Sequence, residues 1–150
     1  MGFGLPAAIG AALAEPDKPV ICITGDGSLM MNIQELATAV EQQTNIKIIL
    51  MNNNALGLVH QQQTMFYDKR TFASDYESKM DFITIAKGFG MPTYDLATCT
   101  DYEETLNKAI KSNGPCLIHV PIDVEEKVFP MVPPGAANKD MIEGTDNATA

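Results

Sequence analysis

Two short apolar runs, Val20 to Thr24 and Ile46 to Met51, are each halted by small polar residues and separated by one amphipathic segment. This pattern constrains the chain more than any other feature. Both runs read as buried strands, stopped by Gly25-Asp26-Gly27-Ser28 and by Asn52-Asn53-Asn54. Between them, Asn32 and Glu35 have the spacing of a helix-capping box. Ile33, Leu36, Ala37 and Val40 then form one helical stripe that ends near Gln43. Strand, helix, strand predicts a βαβ unit with parallel strands and a right-handed crossover.

The alternation continues. Phe82, Ile85, Ala86 and Phe89 predict a helix ending at Gly88 or Gly90, and Met91 to Leu96 a short strand. Asp101 with Glu104 predicts a capped helix carrying Leu106, Ala109 and Ile110, and Cys116 to Val120 a further strand. Ala55 to His60 opens a helix, whereas Gln61 to Ser78 reads as a long loop with a short helical turn. The sum is an α/β fold, an open, mainly parallel sheet with helices on both faces. The Gly/Ala-rich start from Met1 reads as a helix packed closely against another surface. Beyond Pro121 periodicity is lost, and 139–150 reads as a frayed acidic tail after a domain spanning 1–138.

Composition removes several functions. A net charge of −9, from nineteen acidic and ten basic residues, argues against a nucleic-acid partner. No apolar run is long enough to span a bilayer, and no basic region precedes the apolar start as in a signal peptide. Cys22, Cys99 and Cys116 lack metal or disulfide spacing and predict reduced thiols in a cytoplasmic protein.

Ligands of parallel α/β sheets sit beyond the C-terminal strand ends, where Asp26 and Asn53 fall on successive predicted strands. A carboxylate and an amide oxygen are hard donors suited to Mg²⁺, and Gly25 and Gly27 let the backbone approach a diphosphate. Taken singly, Gly-Asp-Gly is a common turn and an Asn run a common strand stop. Residues alone leave both readings open. Gly2-x-Gly4-x-x-Ala7 imitates a dinucleotide fingerprint but follows no strand. His60 and His119 are too few for a zinc site, and His119, inside an apolar run, reads as packed and hydrogen-bonded.

Gly25-Asp26-Gly27, followed after residues 28 to 51 by Asn52-Asn53, resembles the thiamine diphosphate signature. The flanks MGFGLPAAIGAALA, GDGSLMMNIQELATAVEQQTNIKIILMNNNALGLVHQQQ and HVPIDVEEKVFPMVPPGAAN resemble the C-terminal domain of the acetolactate (acetohydroxyacid) synthase large subunit. The likeness runs from Met1 to about Asn138 and is greatest to the enterobacterial type with little preference between its two acceptor ketoacids.

The resemblance implies a thiamine-diphosphate-binding fold in which Asp26, Asn53 and the main-chain oxygen of Ala55 hold Mg²⁺. Gly25, Gly27, Ser28, Gly57 and Leu58 would lie along the cofactor, and Met1 would prop thiamine in its bent form. Val59 and Gln62 would face the substrate. Gln62 replaces a tryptophan that in most members favours 2-ketobutyrate as acceptor, so strong selection for that acceptor is not expected. The implied reaction decarboxylates pyruvate and joins the two-carbon unit to pyruvate or 2-ketobutyrate, toward the branched-chain amino acids. Members of the family are several times longer. Their activating glutamate, and most contacts to FAD, lie in other domains, so no catalytic residue is expected in this chain and the chain alone is expected to be inactive. Partners implied are a homodimer or higher assembly through those domains and a small regulatory subunit. Alternatives are a pyruvate decarboxylase or oxidase fragment, or a non-enzymatic assembly module.

Overall fold

A computed structural model describes residues 1–144. Helix α1 (Gly4–Ala14) precedes strand β1 (Val20–Gly25), which runs directly into α2 (Asp26–Met30) and, after a turn, α3 (Glu35–Glu41). Strand β2 (Ile46–Asn52) is followed by α4 (Gly57–Phe66), α5 (Phe82–Gly88), β3 (Thr93–Asp95), α6 (Tyr102–Lys111) and β4 (Cys116–Pro121). All pairings are parallel, in the order β1-β2-β4-β3.

Side chains alternate across this sheet, as a period of two requires. Ile46, Ile48, Leu50 and Leu117 join Leu5, Ile9, Leu36, Phe82 and Ala86 in one core beneath α1, α3 and α5. Ile49, Cys116 and Ile118 face the opposite way and meet Leu106 and Ala109 of α6. Helices therefore cover both faces of the central strands, which explains their near-continuous apolar sequence.

Lys47 interrupts that sequence and is nevertheless fully buried. Its ammonium donates to the carbonyls of Ser112 at 2.7 Å and Gly114 at 2.6 Å, and to Ser112 Oγ at 3.3 Å. It thus satisfies acceptors just beyond the C-terminus of α6, where helix carbonyls lack intrahelical partners. Burial pushes its pKa below the ordinary lysine value.

Four local expectations need correction. β1 is not wholly buried: Cys22 and Thr24 point inward, but Ile21 and Ile23 are exposed, Ile23 to 69%. β1 is the sheet edge, and α6 packs over β3 and β4 instead. The Asn32–Glu35 capping box does not form, because Gln34 already has helical backbone angles and is the N-cap of α3. Asn32 Nδ2 instead donates to the Gly2 carbonyl at 2.6 Å, and Glu35 accepts from Thr38. The segment from Gln61 is helical through Phe66 and irregular only afterwards. Finally, Asn138–Asp140 forms a 3-10 turn and Ile142 pairs with Met131, so residues 139–144 carry local structure; 145–150 lie outside the described residues.

Other expectations hold. Leu5, Ala8, Ile9 and Ala12 of the Gly/Ala-rich start are buried against the sheet. Asp101 caps α6 by accepting from the Glu104 amide at 2.9 Å. Among the described residues, no helix is long and apolar enough to cross a membrane.

Candidate functional site

The C-terminal ends of β1 and β2 open into a cleft of about 360 Å³. Their register pairs Gly25 with Met51, so Asp26 and the Asn52-Asn53-Asn54 loop emerge side by side. Met1, Gly25, Asp26, Gly27, Ser28, Asn53, Ala55, Gly57, Leu58 and Val59 all line this cleft. Gln62 does not: it lines a neighbouring depression with Val59, Gln63, Tyr67 and Arg70. Sequence reading missed Met51, Leu56, Ile122 and Val128 in the cleft wall. Their only sequence signal is apolar character, which is indistinguishable from core.

Asp26 begins α2 and is 2% exposed. Its Oδ1 accepts from the Gly27 amide at 2.6 Å, while Oδ2 is buried without a partner among the described residues. Burial raises its pKa above the ordinary carboxylate value, and the nearby amides of Gly27, Asn54 and Ala55 partly counter this. A buried carboxylate oxygen without a partner is unfavourable unless something cationic or protic reaches it.

The Asn53 carboxamide accepts from the Ala55 amide at 3.1 Å, an Asx-type turn that holds the loop. Asn54 adopts a φ of 56°. Ala55 bridges to Asp75, with Leu56 donating to Ser74 at 2.7 Å and Tyr76 donating to Asn54 at 3.0 Å. Residues 74–76 therefore back the loop and set the position of the Ala55 carbonyl.

At two glycines a Cβ would crowd the flexible ends of neighbouring side chains. A Cβ on Gly27 would stand 2.7 Å from both the Leu56 side chain and the Tyr76 hydroxyl. A Cβ on Gly57 would stand 2.6 Å from Asn53 Nδ2. Met1 is held over the site through its neighbour, since the Gly2 amide donates to Ser28 Oγ at 3.0 Å and its carbonyl accepts from Asn32.

The histidines are supports. His119 Nε2 lies 3.0 Å from the Asn52 amide nitrogen, and its Nδ1 lies 2.7 Å from Asp95 Oδ1. With Asn52 donating, Nε2 accepts and the proton sits on Nδ1, directed at Asp95. Burial alone would raise the Asp95 pKa, but bonds from His119, the Ala97 amide and Thr98 carry it below the usual range. Asn52 Oδ1 in turn accepts from the Asn54 amide at 3.1 Å. A chain of hydrogen bonds thus runs from Asp95 to the loop carrying Asn53. His60 bonds Asp75 at 2.8 Å, behind the same loop.

Among the described residues, no three His, Cys, Asp or Glu side chains cluster as a metal set. An ion beside Asp26 would instead draw on amide and main-chain oxygens, the mixed hard donors that Mg²⁺ accepts. Asp26 Oδ2, unpartnered among the described residues, fits such an ion, and Gly25, Gly27 and Ser28 line the cleft beside it.

Fold and site together define a class of cofactor-dependent α/β domain. The chain belongs to the thiamine pyrophosphate enzymes, as their C-terminal TPP-binding domain, whose family profile matches residues 1–120. Within that class it aligns closely with acetolactate synthase large subunits. It is 63% identical over 142 residues to the isozyme 1 large subunit of Escherichia coli (strain K12), covering 95% of this chain and 25% of that protein. It is 45% identical over 143 residues to isozyme 2 of the same organism, covering 95% and 26%. With chloroplastic acetolactate synthase 2 of Zea mays it shares 40% over 156 residues, covering 99% and 24%. The chain thus spans about a quarter of the length of these relatives. Among solved structures it resembles a thiamine diphosphate-dependent 4-hydroxybenzoylformate decarboxylase of Rhodococcus jostii RHA1, at 34% identity and a TM-score of 0.76. That likeness covers 85% of this chain and 24% of the other.

Proposed function

We propose that this chain supplies the diphosphate–metal half of the active site of an acetolactate synthase. One observation carries the reading. Asp26, with a buried oxygen that has no partner among the described residues, meets the Asn53 loop in a cleft at the C-terminal ends of adjacent parallel strands. Asp26, Asn53 and the Ala55 carbonyl would hold Mg²⁺. The backbone at Gly25, Gly27 and Ser28 and the start of α4 at Gly57 and Leu58 would receive the diphosphate. Met1 would press on the cofactor from above, with Val59 and, farther out, Gln62 toward the substrate.

Thiamine diphosphate, when bound, supplies the electron sink for decarboxylating a 2-ketoacid. Among the described residues no Lys, Arg or His lines the cleft, so the residues of this chain would hold the Mg²⁺ that offsets the phosphate charge, fix the cofactor's position and exclude water with Leu56, Leu58 and Val128. The group that moves a proton on the aminopyrimidine ring is assigned to another domain of the assembled enzyme. The assembled enzyme would be a cytoplasmic dimer or higher oligomer with FAD in a separate domain and a small regulatory subunit. It would convert pyruvate, alone or with 2-ketobutyrate, to the acetohydroxy acids that precede the branched-chain amino acids.

Calorimetry with Mg²⁺ and thiamine diphosphate tests the site directly. Binding should depend on Mg²⁺ and disappear in Asp26→Ala. Unchanged binding in that variant would overturn the assignment. Acetolactate should form only when the other domains are supplied, and robust synthesis by the 150-residue chain would refute the division of labour. The decarboxylase likeness makes a non-condensing enzyme the competing reading, marked by aldehyde release in place of acetolactate.

A further inference from the structure

After β4, residues 122 to 137 form no helix or strand, yet this arm contributes Ile122 and Val128 to the cleft wall. An irregular segment keeps such a position only if its backbone is tied down. At its near end, the Ile122 amide donates to the Asn52 carbonyl at 3.0 Å. The second tie is a side chain. Gln61 Nε2 donates to the Val128 carbonyl at 3.0 Å, and the Val128 amide donates to Gln61 Oε1 at 2.9 Å.

This carboxamide reproduces the paired bonds of a β-ladder, using one donor and one acceptor of the kind glutamine carries. Gln61 is only 3% exposed, so its amide has little recourse to water. The Val128 side chain, by contrast, is 61% exposed and borders the cleft. The backbone is held while the side chain remains available to a ligand. Gln61 lies four positions after Gly57 in α4, on the same side of the helix. One helix therefore carries both the start of the cleft floor and the tie for its wall. Glu125 of the arm also approaches His60, the neighbour of Gln61, at 3.8 Å.

We propose that Gln61 is a positioning residue for the cofactor site, whose amide clamps the Val128 backbone and so holds the arm against the cleft. The effect on cofactor rests on the reading of the cleft as the thiamine diphosphate–Mg²⁺ site; the clamp itself does not. Clamp closure and cofactor occupancy then reinforce each other, because linkage between two such events is reciprocal.

Limited trypsin digestion of the full chain reads the clamp at the Lys127–Val128 bond, followed by the mass of the fragment ending at Lys127. Gln61→Met keeps the length and apolar packing but loses both bonds, and it should speed cleavage there roughly tenfold. It should also weaken Mg²⁺-dependent thiamine diphosphate binding severalfold. In the unsubstituted chain, Mg²⁺ with thiamine diphosphate should slow this one cleavage. Val128→Ala, which keeps the backbone clamp, should weaken binding without speeding cleavage. Wild-type cleavage and wild-type affinity in Gln61→Met, with the unsubstituted chain binding normally, would overturn the proposal. If the unsubstituted chain binds no cofactor while Gln61→Met still speeds cleavage, the site assignment fails and the clamp stands. Should Gln61→Met not fold, the cofactor effect on Lys127 cleavage decides: protection supports the coupling, and its absence despite binding refutes it.

Discussion

Replacing Asp26 by asparagine separates a structural turn from a metal site, because the two readings predict opposite orders of stability. Asparagine keeps the acceptor for the Gly27 amide and removes the charge from a carboxylate that is 2% exposed, with Oδ2 unpartnered among the described residues. Leaving a buried polar group unsatisfied costs about 1–3 kcal/mol, more when it is charged. Asparagine leaves Nδ2 buried in place of Oδ2, so only the loss of the charge stabilises, and without metal Asp26→Asn should be more stable than the unsubstituted chain by about 1 kcal/mol. For a chain of this size that is an increase in Tm of roughly 2–4 °C. With Mg²⁺ and thiamine diphosphate at about a hundred times Kd, the unsubstituted chain gains ~2.7 kcal/mol and the variant gains none, so the order reverses.

The pH dependence follows the same logic. The folded-state pKa of Asp26 is raised, so its contribution is fully favourable below the unfolded value of 3.8 and is lost as pH rises through the folded value. The metal-free chain should lose this contribution on going toward neutrality, and Asp26→Asn should not. Thermal melts in chelator and in saturating Mg²⁺ with cofactor, at several pH values, measure all three effects. A metal-free variant less stable than the parent, or one keeping the cofactor-dependent rise in Tm, would refute the argument.

Gly57→Ala should place a methyl 2.6 Å from Asn53 Nδ2 and displace that side chain. Calorimetry should show cofactor affinity falling roughly tenfold, about 1.4 kcal/mol, with Tm unchanged or slightly raised by the better helix former. Lys47→Met should cost about 3 kcal/mol, read as a lower urea midpoint, because the Ser112 and Gly114 carbonyls lose a charged donor. A shift below about 1 kcal/mol would show that water replaces the ammonium. In an enzyme assembled with its other domains, Gln62→Trp should raise the product share derived from 2-ketobutyrate; an unchanged product ratio under competition would remove Gln62 from acceptor selection.

Much of this was legible locally. β1, β2 and β4 carry mainly apolar runs, interrupted in β2 by Lys47 and in β4 by His119, and α6 has both its Asp101 cap and its stripe, so periodicity and stop residues located them. The Asp26–Asn53 pairing was legible because parallel strands deliver the residues after them to one edge. What could not be read depended on neighbours distant in sequence. Ile23 is exposed because β1 is the sheet edge, and Lys47 is buried because the end of α6 offers it carbonyls. Asn32 turned from an expected cap into a tether for Gly2. Gln61, one polar residue among three glutamines, became the tie between α4 and the arm.

The sequence by itself determined the order of elements, the parallel sheet and the hard oxygen donors at its C-terminal edge, since spacing and residue chemistry are local properties of the chain. Only the tertiary structure decided which donor oxygen lacks a partner and what encloses the cleft. Those depend on the angles at which separate elements meet, and on which buried polar groups find each other once water has been excluded.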